Sequence, residues 1–263
     1  LTELVGIINL TPDSFSDGGV NMAVEAAILA AQNLIQAGAK VLDIGAESTR
    51  PNAVQIDSVT EINRLKYALP TIIELAHQAN VVVSVDTRHA GTAEYAIANG
   101  ADWINDVGGG TNVDLLNIVA QAKVNYVLMH SLTIPADPKV ILPNDSKLYP
   151  AIKDFFISKI NALEEIDITK DKIIIDAGLG FGKDAYGSLN LMLKSAKLQA
   201  EIGCPLLVGH SRKSMFQAVG ATDVRERNQL TLLSSMFLAQ QDIAYLRVHD
   251  VAAHQELFKL TNL

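Results

Sequence analysis

The chain has 263 residues, 49% of them apolar and 19% charged, which is enough for one large hydrophobic core and excludes a disordered chain. Its formal net charge of −8 excludes a broad basic face for nucleic acid, and its single cysteine, Cys204, excludes an internal disulfide and any multi-cysteine metal site. No apolar run approaches the ~20 residues of a membrane span and no signal-peptide pattern is visible, which fits a soluble, cytoplasmic protein.

The first predicted strand, 4–9 (LVGIIN), runs into the polar loop LTPDSFSDGG. A helix over 22–37 follows, with Val24, Ile28, Ala31 and Ile35 on one stripe and Gly38 just past its end. Strand 40–44 leads through GAESTRP into helix 58–77, and strand 80–85 leads through DTR into helix 90–99. Then come strand 102–105 with helix 113–122, and strand 124–129 with helix 150–165 after the irregular stretch 131–149, whose three prolines break regular structure. Strand 172–176 with helix 187–201, strand 205–209 with helix 225–240, and strand 243–248 with helix 251–260 complete the chain. The strands are β-branched and almost continuously apolar, as parallel strands buried on both faces are.

Strands alternating with helices in this way over about 250 residues predict a (β/α)8 TIM barrel filling 1–263 as a single domain. A doubly wound open sheet is the alternative; a nucleotide-binding version of it would put a glycine fingerprint after the first strand, and NLTPDSFSDGG is not one. In a barrel the active site lies at the carboxyl ends of the strands. Those ends carry Asn9; Thr49 and Arg50; Asp86; Asn105 and Asp106; Met129 and His130; Asp176; Ser211, Arg212 and Lys213; and Arg247, His249 and Asp250. Ionisable groups flush against apolar runs need partners, since an unpaired buried charge is costly. Asp86, Asn105 and Asp176 suit the N–H edge of a heterocycle. Arg50, Lys213 and Arg247, with His249 nearby, suit phosphate or carboxylate. SRKS is expected to open a helix whose amides add to an anion site.

Other signals are weaker. GLGFGKD (178–184) has one residue too few between its glycines for a phosphate loop, and Asp184 stands where Ser or Thr is needed. GGG at 108–110 reads as a tight turn. His77, His89 and His254 read as solvated, His210 as loop, Trp103 as core, and Arg88 as a surface or structural ion-pair residue. His130 is open between ligand and structural hydrogen-bonder. Lys213 ranks as a hydrogen-bonding and charge-pairing group above a Schiff-base lysine. No His/Asp/Glu spacing suggests a caged transition metal.

The segments GIINLTPDSFSDGG, DIGAESTRP, SVDT, INDV, LMH, DAGLGFGK, GHSRKS and RVHDV, in that order over residues 6–251, resemble the dihydropteroate synthase family. The resemblance implies condensation of 6-hydroxymethyl-7,8-dihydropterin diphosphate with 4-aminobenzoate, releasing pyrophosphate, in folate synthesis by a barrel-shaped homodimer. It implies that Asp86, Asn105, Asp176, Lys213 and Met129 hold the pterin, and that Asn9, Thr49, Arg50, Arg247 and His249 hold the diphosphate. Mg2+ would bind through Asn9 and diphosphate oxygens. Phe15, Thr49, Arg50, Pro51, Phe181, Lys213 and Ser214 would form the aminobenzoate site. Asp17 would stabilise the cation or the amine, making Asp17, Lys213 and Arg247 the catalytic set, with loop 10–21 closing over the second substrate. Sulfonamides, as aminobenzoate mimics, would compete.

Three segments depart from the family's usual pattern: Ala177 for proline in DPG, Ser131–Leu132–Thr133 after LMH, and Leu179 for isoleucine in GIGFGK. The alternatives are a pterin-binding methyltransferase module, which needs no diphosphate ligands, and an inactive paralogue.

Overall fold

The structure, a computed structural model, describes residues 1–11 and 19–261. Phe15 and Asp17 lie outside the described residues, as does most of the loop expected to close. Among the described residues the strands are β1 (Glu3–Asn9), β2 (Val41–Gly45), β3 (Val82–Asp86), β4 (Trp103–Asp106), β5 (Asn125–Met129), β6 (Ile173–Asp176), β7 (Leu207–Val208) and β8 (Tyr245–Val248). The helices are α1 (Gly19–Gln36), α2 (Ser58–Leu65), α3 (Leu69–Gln78), α4 (Ala90–Ala98), α5 (Val113–Ala122), α6 (Leu148–Glu164), α7 (Ala185–Leu193), α8 (Ser195–Ile202), α9 (Val224–Ala239) and α10 (Val251–Thr261). All paired strands are parallel, in the order β6-β5-β4-β3-β2-β1-β8-β7, and the bridge Ile175↔Leu206 joins the two ends into a barrel.

Strand periodicity explains where the site sits. Each strand sends alternate residues inward. Val5, Val41, Val82, Trp103, Val127, Ile174, Leu207 and Tyr245, one per strand, form an apolar plug inside the barrel, with Trp103 and Tyr245 edge-to-face at 5.0 Å. Two residues further along, the inward positions become Asp43, Ser84, Asn105, Met129, Asp176 and Arg247. The outward residues of the strands pack under the helices in the main core.

Four expectations need correction. The helix expected over 58–77 is two helices, because Pro70 in the first turn of α3 has no N–H to continue the ladder from α2. The helix expected over 187–201 is likewise two, α7 ending at Lys194, where the backbone leaves helical geometry. SRKS opens only a short 3-10 turn, Ser214–Val219, which Gly220 ends at φ 89°. β7 is shorter than expected because Pro205 contributes only its carbonyl, which accepts Ile175 N–H at 2.9 Å. GGG is the tight turn expected: the buried Asp106 carboxylate accepts from Gly108 N (2.6 Å), Gly110 N (3.0 Å) and the Tyr126 hydroxyl (2.6 Å).

Candidate active site

The floor of the site is a carboxylate layer directly above the apolar plug. Asp43 is buried on β2; it accepts Ser84 Oγ at 2.6 Å, Asn105 Nδ2 at 3.3 Å and Arg247 Nε at 2.5 Å. The Arg247 Nη2 donates to Asp86 Oδ2 at 3.1 Å, so one guanidinium bridges the carboxylates of β2 and β3. Burial opposes its charge, yet Asp43 and Asp86 hold Arg247 above its ordinary value. Asp86 fares differently: burial, then the Asp43 carboxylate beside it, push it up to about 8, against the pull of Arg247. At about 8, the Asp86 carboxyl is mostly protonated at neutral pH.

Asp176 closes the layer from β6. Burial raises its carboxyl and Lys213 pulls it back; its Oδ1 accepts Gly178 N at 2.7 Å. Burial pushes Lys213 down to about 8 against the pull of Asp176. Lys213 Nζ donates to Leu179 O at 2.5 Å and lies 4.9 Å from the Phe181 ring centroid, so the residues expected to face both substrates meet here. Met129 is buried and pairs in register with Asp176. Asn105 Oδ1 is buried without a partner, an acceptor left over for a ligand donor.

The rim is cationic. His249 Nδ1 lies 2.9 Å from Ser211 Oγ, and the His249 N–H donates to the same hydroxyl at 3.3 Å. The hydroxyl can donate to Nδ1 while accepting that N–H, an arrangement that puts the imidazole proton on Nε2. Burial, then Arg212, Arg247 and Arg50, push His249 down to about 4, so three guanidinium groups bear on one neutral donor. Thr49 is half-buried, whereas Arg50, Pro51 and Ser214 are exposed. A cavity of about 280 Å3 opens beside them, lined by Pro51, Ala136, Gly180, Lys183, Ser214 and Met215 among others. Asn9 stands exposed at the end of β1, paired in register with Gly45.

Two loops are braced from behind. Lys183, buried, donates to His130 Nδ1 (2.7 Å) and to the carbonyls of His130 (3.1 Å), Gly178 (3.0 Å) and Phe181 (2.9 Å). Four acceptors surround an amine whose charged form has three N–H donors, which favours the ammonium against the burial that pushes Lys183 down to about 7. His130, pushed to about 3 by burial and then by Lys183, is a structural hydrogen-bonder. Gly178 (φ 63°) admits no side chain: a Cβ there would lie 1.9 Å from His130 O. On the other side, Glu47 accepts from Arg88 through both oxygens (2.9 and 3.0 Å), from His89 Nε2 (3.1 Å) and from Ile56 N (3.1 Å), tying down both ends of the Thr49–Arg50–Pro51 loop. Arg88 is a structural ion-pair residue, and His89 is part of the same anchor rather than solvated.

The model of the pterin binding enzyme family matches residues 5–249. The chain belongs to that family. The chain is 38% identical, over 95% of its length, to a protein of Halobacterium salinarum named probable bifunctional folylpolyglutamate synthase/dihydropteroate synthase, and spans only 30% of that relative. The dihydropteroate synthase of Anaplasma phagocytophilum, solved with bound 6-hydroxymethylpterin-monophosphate, superposes with a TM-score of 0.90 at 38% identity, covering 99% of this chain and 98% of that one. The Xanthomonas albilineans dihydropteroate synthase, solved with 4-aminobenzoic acid, gives 0.88 at 34% identity, covering 99% and 92%.

Within this dihydropteroate synthase family member, sequence reasoning missed Asp43, the hub of the floor. A charge in the middle of VLDIG is the signal that finds it, since such a residue has no loop to escape into. It also missed Lys183, which the failed phosphate-loop spacing drew attention away from.

Proposed function

We propose that the chain is a dihydropteroate synthase in activity as well as in family: it condenses 6-hydroxymethyl-7,8-dihydropterin diphosphate with 4-aminobenzoate, giving 7,8-dihydropteroate and pyrophosphate. The observation that carries this reading is the layering of the barrel mouth. Asp43, Asn105 and Asp176, buried, and Asp86, half-buried, form the floor together with Arg247, and Lys213 and the Ser211–His249 pair follow toward the rim. A ligand with N–H donors on one edge and anionic oxygens at the other end matches that order.

In this reading the pterin's amino-pyrimidine edge donates to Asp86, Asn105 and Asp176, with Lys213 and Met129 beside the ring. Arg247, His249, Thr49, Arg50 and Asn9 face the diphosphate. The methylene C–O bond breaks first; its electron pair leaves with the diphosphate, and the ring nitrogens share the cation. Donors aimed at the departing oxygens are each worth ~3–4 kcal/mol. The aminobenzoate nitrogen, held among Phe15, Pro51, Phe181, Lys213 and Ser214, then attacks the carbon and loses a proton to solvent. Asp17 is the carboxylate assigned to the developing cation. Water must be kept out, since it competes as nucleophile.

Among the described residues no group of three or more His, Cys, Asp or Glu could cage a metal. One amide oxygen from Asn9 fits a hard cation that keeps waters and takes its other ligands from the diphosphate. Mg2+ held there would neutralise the leaving group. The reading further holds that one barrel domain suffices, that the enzyme is cytoplasmic, that sulfonamides compete with aminobenzoate, and that a second copy covers Leu233 and Phe237, exposed on α9. No helix among the described residues is long and apolar enough to cross a membrane.

Pyrophosphate release measured with Mg2+, with and without 4-aminobenzoate, tests it. Aminobenzoate-dependent release alongside dihydropteroate is expected. Tight pterin binding with no release would favour the methyltransferase module or the inactive paralogue.

A further inference from the structure

Behind the rim lies a buried polar chain that the reaction does not use. His210, in the loop after β7 as expected, Ser235 on α9 and His254 on α10 are all at most 1% exposed, so the reading of His254 as solvated is corrected. His210 Nε2 is 2.8 Å from Ser235 Oγ, and Ser235 Oγ is 2.8 Å from His254 Nε2. His254 Nδ1 is 2.5 Å from Asp250 O.

The chemistry of these partners allows one proton arrangement. A carbonyl only accepts, so His254 carries its proton on Nδ1 and offers a bare Nε2. Ser235 must therefore donate to His254. Its oxygen then accepts from His210, whose proton is on Nε2, where Thr231 O at 3.3 Å also accepts. The reverse tautomer of His210, donating to Val208 O at 3.3 Å, would make Ser235 donate backwards and would leave His254 needing two protons. Both rings are neutral: burial pushes His210 down to about 4, with His254 and Lys213 adding to it, and burial lowers His254 against the pull of Asp250.

The chain joins two functional loops. His210 precedes Ser211, whose hydroxyl meets His249, and Arg212, whose N–H donates to Thr231 Oγ1 at 3.1 Å; Lys213 follows. At the other end Asp250 directly follows His249. We propose that His210, Ser235 and His254 are positioning residues, a one-way hydrogen-bond relay that locks the β7 and β8 loops into a single unit and so sets the place of Lys213 and His249. Its effect on substrate rests on the function proposed above; the relay itself does not.

Nitrogen-15 histidine spectra of the full chain test the relay directly. Expected are an Nδ1–H signature for His254 and an Nε2–H signature for His210, neither titrating over roughly pH 5.5 to 8. The opposite tautomer at either ring, or titration near the ordinary histidine value, overturns the proposal. Ser235→Ala is expected to raise KM for the pterin diphosphate about fivefold, the scale of one lost hydrogen bond, with kcat within about twofold, and Ser235→Thr to restore it. A folded Ser235→Ala protein with lowered Tm but unchanged KM also overturns it. If wild type makes no dihydropteroate, the functional reading fails. The comparison is then read as the affinity for inorganic pyrophosphate with Mg2+, expected to weaken about fivefold, while the spectra still judge the relay.

Discussion

Asp86 is a carboxyl kept protonated by its surroundings, and that has two signed consequences. Its folded pKa of about 8 lies above its ordinary 3.8, so it takes stability away as pH rises between those values. Asp86→Asn should therefore raise Tm at pH 8 relative to wild type, while weakening pterin binding. A ligand donating N–H bonds favours the ionised form, so binding must release the proton. Pterin affinity should rise with pH up to about 8 and level off above it, with proton release visible by calorimetry in buffers of different ionisation enthalpy. Burial raises this midpoint most, and the Asp43 charge is the chief neighbour that adds to it. Asp43→Asn should move the pH midpoint down as Asp86 ionises to pair Arg247. The stability cost should fall at or below the low end of the ~3–5 kcal/mol for breaking a buried pair, since Arg247 retains Asp86. A midpoint that stays near 8 in this variant would remove Asp43 from the account.

At the scale of elements, the loop after β2 is held by Glu47. Burial alone would raise this carboxyl, but hydrogen bonds from His89, Arg88 and Ile56 bring it down to about 2 from 4.5. A depressed carboxyl contributes stability above its ordinary value that is lost as pH falls toward its folded one, so this anchor fails between about 4.5 and 2. Glu47→Gln should cost ~1.5–3 kcal/mol in a urea melt at pH 7, flatten the acid limb of stability, and raise KM for aminobenzoate because Thr49 and Arg50 ride on the anchored loop. The element pattern itself was readable from apolar runs and helix-ending glycines, because parallel strands buried on both faces leave a strong signal. The splits at Lys66–Ala68 and Lys194 and the short 3-10 turn after SRKS were not, since periodicity continues across a break that the backbone imposes. Site residues at strand ends, such as Asp86, Asn105 and Asp176, stood out as charge or amide against apolarity. The groups that brace the loops around them, Lys183, Ser235 and His254, are invisible one at a time; each looks like an ordinary core intrusion until the fold brings its hydrogen-bond partner within reach.

For the barrel as a whole, closure is uneven, and the weak seam runs through the site. β1 pairs with β2 from Val5 to Asn9, and β2 with β3 from Val41 to Gly45. Among the described residues, β7 pairs in register with β8 through Leu207 and Val208 alone, with Tyr245 N–H reaching Leu206 O, and meets β6 at the single bridge Ile175↔Leu206. Few ladder hydrogen bonds mean a low free energy of local opening. Asp176 ends β6, Lys213 follows β7, and their charges attract across that seam. A ligand that touches both adds a second staple where backbone pairing is thinnest, so binding energy should appear there as protection. Amide exchange should therefore be faster at Ile175 and Tyr245, which donate to Pro205 and Leu206, than at the amides inside β2, and should slow most at the seam when pterin diphosphate is added with Mg2+. Equal slowing throughout the barrel would instead mean that the ligand stabilises only the global fold, with the seam no weaker than the rest.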